Sequence, residues 1–77
     1  MEEQAVAFVD EVDRSIALRV VAGSTNKVIA RDLSIPEGTV KWRLHGMYQR
    51  LGVASRVEFA MRARDLLEKQ DPEPRSP

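Results

Sequence analysis

Apolar residues recur along most of the chain at the three- and four-residue spacing of amphipathic α-helices. In the first predicted helix, Asp10 serves as the N-cap, Asp13 lies in an acidic first turn, and Gly23 ends the helix. The apolar stripe of this helix consists of Val9, Ile16, Ala17, Val20 and Val21. Leu18 lies outside that stripe, so we expect its side chain to face away from the core.

A second and a third helix are predicted on either side of a proline. Thr25 is the expected N-cap of the second helix, over residues 26–33. Its apolar face consists of Val28, Ile29 and Leu33. Pro36 suits the first position of a helix, where no amide partner is needed, so the third helix is predicted over residues 36–51 and ends at Gly52. Its core face consists of Val40, Leu44, Met47, Tyr48 and Leu51.

Ser55 and Glu58 match the S-x-x-E capping box, which predicts a fourth helix that continues to about Lys69. The apolar stripe assigned to the core consists of Val57, Ala60, Leu67 and the aliphatic part of Arg64. A second stripe consists of Phe59, Ala63 and Leu66. Because a small domain has one core to fill, the second stripe predicts a two-fold dimer contact. Deeper coverage of the fourth helix by the first is the alternative.

Strand signals are nearly absent, since the longest alternating stretch is interrupted by Pro36 and Gly38. The fold is therefore predicted to be all-α: a compact four-helix domain in which the second and third helices form a helix-turn-helix. Residues 1–8 are predicted to be an N-terminal extension and residues 9–69 the domain. Residues 70–77 are polar and rich in proline, which predicts a disordered tail.

The composition excludes most classes of catalytic and metal site. The chain has 77 residues, no cysteine and one histidine, His45. Disulfides, thiolate zinc sites and His/Cys clusters are therefore excluded, and no nucleophile–base pair or phosphate loop is present. We expect no enzymatic activity, no metal, no cofactor and no small-molecule ligand within this domain. No apolar run approaches the ~20 residues of a membrane span, so a cytoplasmic protein without membrane contact is expected.

Charge is distributed unevenly, although the net charge of the whole chain is zero. Residues 1–13 contain five acidic residues and no basic one. Residues 14–64 contain ten basic and three acidic residues, which makes their net charge +7. A basic middle segment favours a polyanionic partner, although a solvated helix surface can have the same composition.

The outward side of the third helix carries the most informative residues. Opposite its apolar face lie Gly38, Trp42, His45, Gly46 and Gln49, with Lys41, Arg43 and Arg50 on the flanks. An exposed tryptophan beside Lys41 and His45 indicates contact with a partner; the alternative is that Trp42 folds onto the second helix or onto a neighbouring domain. A helix with such a face fits the DNA major groove, which is ~12 Å wide. Backbone amides at the starts of the second and third helices are free to meet phosphates.

Three sequence blocks stand at fixed spacing between Gly23 and Arg56: G-x-(S/T)-N-K-x-I-A-x-x-L-x-I, E-G-T-V-K and L-G-V-x-x-R. With these blocks, the chain over about residues 9–68 resembles the LuxR-type (GerE-like) helix-turn-helix domain of bacterial transcription regulators. The segment KWRLHGMYQRLGV looks most like the C-terminal domains of MalT-like, large ATP-dependent activators.

The resemblance implies that the third helix binds DNA and that the fourth helix forms a dimer. Carried over by position, the residues implied to contact bases are Lys41, Trp42 and His45. Those implied to lie near the phosphate backbone are Thr25, Asn26, Lys27, Thr39 and Arg50. The implied partners are double-stranded DNA and a second copy of the chain, with RNA polymerase as a further candidate. The function implied is a sequence-specific DNA-binding domain of a transcription regulator.

The chain departs from the family pattern at two helix starts. The usual T-x-R-E that opens the first helix reads Asp10-Glu11-Val12-Asp13 here. Pro36 replaces the serine that caps the third helix, which leaves Ser34 as the candidate cap.

Two other functions are open on the sequence alone. The segment IPEGTVKWRLH also resembles region four of alternative sigma factors, although those lack the LGVASR segment and the helix after it. A protein-interaction module that pairs with a larger regulator is favoured by the zero net charge and the acidic ends. The presence of LGVASR and of a fourth helix makes the sigma-factor resemblance the second prediction among DNA-binding functions.

Overall fold

The computed structural model describes residues 6–70, and these residues form four α-helices without a strand among them. The helices are α1 (Glu11–Val21), α2 (Asn26–Leu33), α3 (Glu37–Leu51) and α4 (Arg56–Gln70). The predicted all-α, four-helix fold is therefore confirmed. Residues 1–5 of the predicted extension and residues 71–77 of the predicted tail lie outside the described residues. Gln70, predicted to be the first residue of the tail, is the last residue of α4.

Short polar side chains start the first two helices as the sequence predicts. The carboxylate of Asp10 accepts a hydrogen bond from the backbone N–H of Asp13 at 3.0 Å. The hydroxyl oxygen of Thr25 accepts one from the N–H of Val28 at 3.2 Å. Each bond satisfies one of the amides that a helix start leaves without an intrahelical partner. Both predicted N-caps are confirmed.

A capping box starts α4. The Ser55 hydroxyl oxygen accepts a hydrogen bond from the N–H of Glu58 at 3.1 Å. The Glu58 carboxylate reaches back and accepts from the N–H of Ala54 at 3.1 Å, one residue before the cap. Because the two bonds satisfy free amides on both sides of the turn, they fix the angle at which the chain enters α4.

The turn between α2 and α3 differs from the prediction at two residues. Ser34 is the C-cap of α2, with φ 58° and ψ 45°, and its N–H donates to the carbonyl oxygens of Ala30 and Arg31. Pro36 is the N-cap of α3, with φ −64° and ψ 147°, and no side chain caps this helix. The predictions that Pro36 is the first helical residue and that Ser34 caps α3 are wrong. Ser34 is engaged in closing the preceding helix, so α3 begins at Glu37.

The core lies between α1 and α4 on one side and between α2 and α3 on the other. Its fully buried apolar side chains are Ile16, Ala17, Ile29, Val40, Met47, Phe59 and Ala63. Leu18 is 44% exposed, as expected. Val9, predicted to belong to the apolar stripe of the first helix, is 57% exposed because it precedes α1 and points away from the core.

The rotation of α4 about its axis corrects part of the predicted core stripe, although Leu67 is buried as predicted. Phe59 and Ala63 have no exposed surface, whereas Val57 is 71% exposed. α1 packs along this face of α4, and the Phe59 ring meets the Tyr48 ring at a centroid distance of 5.1 Å. Phe59 and Ala63 are therefore not available for the predicted dimer contact, and the third member of that set, Leu66, is partly buried against the core.

The described helices show neither a membrane span nor a metal cluster. Within residues 6–70, no helix combines the length and the apolar composition that crossing a bilayer requires. In the same range, no three His, Cys, Asp or Glu side chains come together in a way that could hold a metal ion.

Candidate nucleic-acid interface

The third helix is anchored on one side and open on the other. The anchoring side chains, all buried, are Val40, Leu44 and Met47. On the opposite side Trp42 is 77% exposed, the largest exposed fraction of any large apolar residue in the described chain. Lys41 and His45 are exposed one turn apart on the same helix. The structure thus brings the three predicted base-contacting residues onto one solvent-facing surface.

One flank of α3 faces the beginnings of α2 and α4. There Asn26, Lys41, His45 and Arg56, together with Leu44 and Tyr48, line a shallow depression of about 240 Å³. The polar residues of this depression come from three helices, α2, α3 and α4. Lys41 and His45 therefore have basic and amide neighbours that lie far from them in the sequence.

Arg56 joins the start of α4 to the start of α2. Its Nη1 donates to Asn26 Oδ1 at 2.7 Å, and its Nη2 donates to the carbonyl oxygen of Ser24 at 2.9 Å. The local sequence pattern predicts no role for Arg56. The available signal was its place in the block L-G-V-x-x-R, directly after the Ser55 cap.

The residues predicted to contact phosphates at the starts of α2 and α3 differ in their exposure and in their hydrogen bonds. Lys27 is exposed. The Thr25 oxygen accepts the capping bond, which leaves its hydroxyl hydrogen free to donate. The Asn26 oxygen accepts from Arg56, which leaves its amide hydrogens free. Thr39 is partly buried in the first turn of α3.

The other flank of α3 faces α1 and is closed by ion pairs. Arg43 Nη1 donates to both carboxylate oxygens of Asp10, at 2.8 and 2.9 Å, and to Asp13 Oδ1 at 3.2 Å. Arg50 Nη2 donates to Asp13 Oδ2 at 2.8 Å and to the carbonyl oxygen of Ala7 at 3.0 Å. The predicted phosphate contact of Arg50 is therefore corrected. Its guanidinium is engaged inside the domain because a buried carboxylate lies beside it.

Asp13 is the centre of this ion-pair network and is 1% exposed. Its carboxylate oxygens accept from both arginines and from the N–H of Val9 at 3.2 Å. Hydrogen bonding to Arg43, followed by the bond from the Asp13 N–H, lowers the pKa of Asp10. The bonds to Asp10 and Asp13 in turn raise the pKa of Arg43. The network ties α1 and the segment before it to Arg43 and Arg50 of α3.

The basic residues without a carboxylate partner identify the electropositive side of the domain. Within residues 6–70, those with no carboxylate oxygen within 4.0 Å are Lys27, Lys41, Arg56 and Arg62. Three of the four lie at the starts of α2 and α4 or on the outward side of α3. Two of them, Lys41 and Arg56, line the same depression as His45, so part of the excess positive charge of the middle segment is concentrated there.

Comparison with known proteins gives one family and one relative. Residues 12–63 match the model of the family described as "Bacterial regulatory proteins, luxR family". A protein of Escherichia coli (strain K12), named "Putative HTH-type transcriptional regulator YhjB", is 46% identical over 48 residues, which cover 62% of this chain and 24% of that protein. The chain thus spans about a quarter of the length of this curated relative. No solved structure matches.

Proposed function

Because the chain belongs to the luxR family of bacterial regulatory proteins, we propose that it is the sequence-specific, double-stranded DNA-binding domain of a transcription regulator, in which α3 reads the major groove. One observation carries this proposal. Lys41, Trp42 and His45 are exposed on one face of a helix whose opposite face is buried, and no carboxylate pairs with Lys41 within the described chain.

The three outward side chains suit different features of base pairs. Lys41 is a donor for guanine O6 and N7, the most common acceptors in specific contacts. His45 can donate to or accept from a base edge. The indole of Trp42 offers an apolar surface to the methyl group of thymine. Phosphate contacts come from Lys27 and from the free donors of Thr25, Asn26 and Thr39. Arg50 has no part in this set.

The proposed homodimer uses a different surface of α4 from the one predicted. Val57 and Met61 are 71% and 68% exposed and lie one turn apart. Two exposed apolar side chains at this spacing support a helix-to-helix contact between two copies. Two-fold dimers read half-sites ~34 Å apart, about one turn of DNA. Because the bacterial chromosome is cytoplasmic, a cytoplasmic location follows from the same proposal.

Sedimentation velocity tests the dimer. We expect Met61→Glu to lower the sedimentation coefficient of the wild-type dimer to that of a monomer, because the substitution places a charge in the contact. Leu18→Glu is the matched control, since Leu18 is an exposed apolar residue of α1. An unchanged coefficient for Met61→Glu, in a wild type that sediments as a dimer, contradicts this contact.

Selection of binding sites from random duplexes at two salt concentrations tests the DNA-binding proposal. We expect enrichment of a defined sequence, with affinity that falls steeply as salt rises because phosphate contacts release counterions. Lys41→Ala should relax the preference at particular bases, and Lys69→Ala, at the far end of α4, should leave it unchanged. An unaltered preference in Lys41→Ala contradicts the reading role of α3.

A protein-interaction module is the second candidate, favoured by the exposed pair Val57 and Met61. It predicts no binding to duplex DNA at low ionic strength and an association with a partner protein that salt does not weaken. The same salt series therefore separates the two functions.

A further inference from the structure

Arginine side chains that lie against the body of the domain have carboxylate partners, with one exception. Arg19 lies 3.6 Å from Asp32, and Arg43 and Arg50 both pair with Asp13. Arg56 is also partly buried, yet its two hydrogen bonds go to neutral acceptors, the Asn26 side chain and the Ser24 carbonyl. Among the described residues, Arg56 is thus a partly buried cation without a counter-ion.

A counter-ion from outside the chain would correct this imbalance. A guanidinium that has lost part of its water is stabilised by an opposite charge more than by neutral acceptors, because Coulomb attraction then adds to the hydrogen bonds. Arg56 has five N–H donors, and the domain uses two of them. Three donors remain for a ligand.

The surroundings of Arg56 specify the charge of that ligand. The depression of about 240 Å³ that it lines also contains Asn26, Lys41 and His45, and no aspartate or glutamate lines it. Since Asn26 Oδ1 accepts from Arg56, the amide hydrogens of Asn26 remain available to an acceptor. The charged groups that line the depression are therefore all cations, with the amide donors of Asn26 beside them, which suits an anion with several acceptor oxygens.

We propose that this depression, which we name the Arg56 site and define by Asn26, Lys41, His45 and Arg56, receives one backbone phosphate of the bound DNA. Arg56 and Asn26 bind the phosphate oxygens, while Lys41 and His45 at the edge raise the local potential and remain directed to bases. This inference rests on the proposed function and adds a phosphate contact from α4, the helix that otherwise has no part in DNA binding.

The salt dependence of DNA affinity measures the contact directly. A phosphate contact contributes about −0.9 to the slope of log K against log salt concentration. We expect Arg56→Gln to make the slope less steep by about 0.9 per protomer, so that the variant loses roughly 3.5-fold less affinity than the wild type between 50 and 200 mM salt. Arg56→Lys should retain the wild-type slope, because it keeps the charge.

Arg62→Gln is the matched control. Arg62 is exposed on α4, has no carboxylate partner within the described chain, and donates to the Leu51 carbonyl at 3.4 Å. We expect its slope to equal that of the wild type. Equal slopes in Arg56→Gln and the wild type overturn the Arg56 site, as does an equal change in Arg62→Gln, which would show that any cation of the domain counts alike.

A methylphosphonate scan of the selected duplex locates the phosphate and does not depend on the folding of a variant. Replacing one phosphate of each half-site with neutral methylphosphonate should weaken wild-type binding, and the same position should have no effect on Arg56→Gln. If no neutralised phosphate weakens wild-type binding, the inference is overturned while DNA binding itself stands. If the wild type binds no duplex at any salt concentration, the proposed function and this inference fail together.

Discussion

The two flanks of α3 carry basic residues in opposite circumstances. Toward α1, Arg43 and Arg50 are paired with Asp10 and Asp13 at distances of 2.8 to 3.2 Å. Toward the starts of α2 and α4, Lys41 and Arg56 have no carboxylate within 4.0 Å among the described residues. The first flank therefore holds α3 on the domain, and the second leaves its charge available to a polyanion.

The comparison shows that the basic composition of a helix does not predict its binding surface. Four cations lie on or beside α3, and two of them are neutralised by acidic residues of the segment around the start of α1. The two flanks differ in the charge of the residues that are packed opposite them. A buried carboxylate such as Asp13 requires compensation from nearby cations, so an arginine beside it is engaged before any ligand arrives.

The largest effect is expected from removing the ion pairs on the flank of α3 that faces α1. Asp13→Ala leaves Arg43 and Arg50 without their shared partner and should lower the free energy of unfolding by about 3 kcal/mol, the lower end of the range for buried pairs because both arginines are partly exposed. Urea denaturation measures it. Asp65→Ala, which removes an exposed pair with Lys69, should cost about 0.5 kcal/mol or less. Equal losses in the two variants would show that the ion-pair network does not stabilise α3.

A substitution on the flank of α3 that faces α2 and α4 should change the affinity for DNA and leave the stability of the fold unchanged. Lys41→Ala is expected to weaken binding to the selected duplex roughly tenfold, as for a side chain that contacts a base, with an unchanged urea midpoint because Lys41 is exposed. Fluorescence anisotropy with labelled duplex measures the affinity. Lys69→Ala should bind like the wild type. A shifted urea midpoint in Lys41→Ala would mean that this flank also supports the fold.

Trp42 tests the same difference between residues that hold α3 on the domain and residues that are proposed to contact DNA. Because its side chain is 77% exposed, Trp42→Ala should change the free energy of unfolding by no more than about 0.5 kcal/mol. The affinity of Trp42→Ala for the selected duplex should fall, and replacing the contacted thymine with uracil should weaken the wild type but not this variant. Thermal unfolding followed by circular dichroism measures the stability. A large drop in melting temperature would place the indole in the core.

The smallest effect concerns acid stability. Hydrogen bonding to Arg43 lowers the pKa of Asp10 below its ordinary value of 3.8. A carboxyl whose pKa is lower in the folded state contributes stability that is present above its unfolded pKa and is lost as pH falls through the folded pKa. Wild type should therefore lose more stability than Asp10→Asn between about pH 5 and pH 2. Asparagine retains the N-cap, so equal acid curves would contradict the pairing.

Features that depend on residues three or four apart could be predicted from the sequence. The Asp10, Thr25 and Ser55 caps span three residues each, and they were identified from side-chain chemistry alone. The anchored face of α3 was also predictable, because only one of its faces is apolar. The buried face of α4 was not predictable, because two apolar stripes fit the same helical period and the position of α1 decides which of them is buried.

The contacts of the arginines could not be predicted, because their partners are remote in the sequence. Arg43 meets Asp10 33 residues away, and Arg50 meets Ala7 43 residues away. Arg56 meets Asn26 at a separation of 30 residues. All three arginines have the same charge, and the neighbouring residues in the sequence do not indicate whether a carboxylate or solvent lies opposite each of them.

By itself, the sequence determined four helices, their polar starts, the inward face of α3 and the helix-turn-helix of the family, because hydrogen bonding and apolar periodicity act over one or two turns. The tertiary structure alone decided which face of α4 is buried, which arginines are neutralised and which cations are left without a carboxylate partner. The physical reason is that burial and charge compensation depend on the element packed across from a side chain, and that element is chosen only when the helices come together.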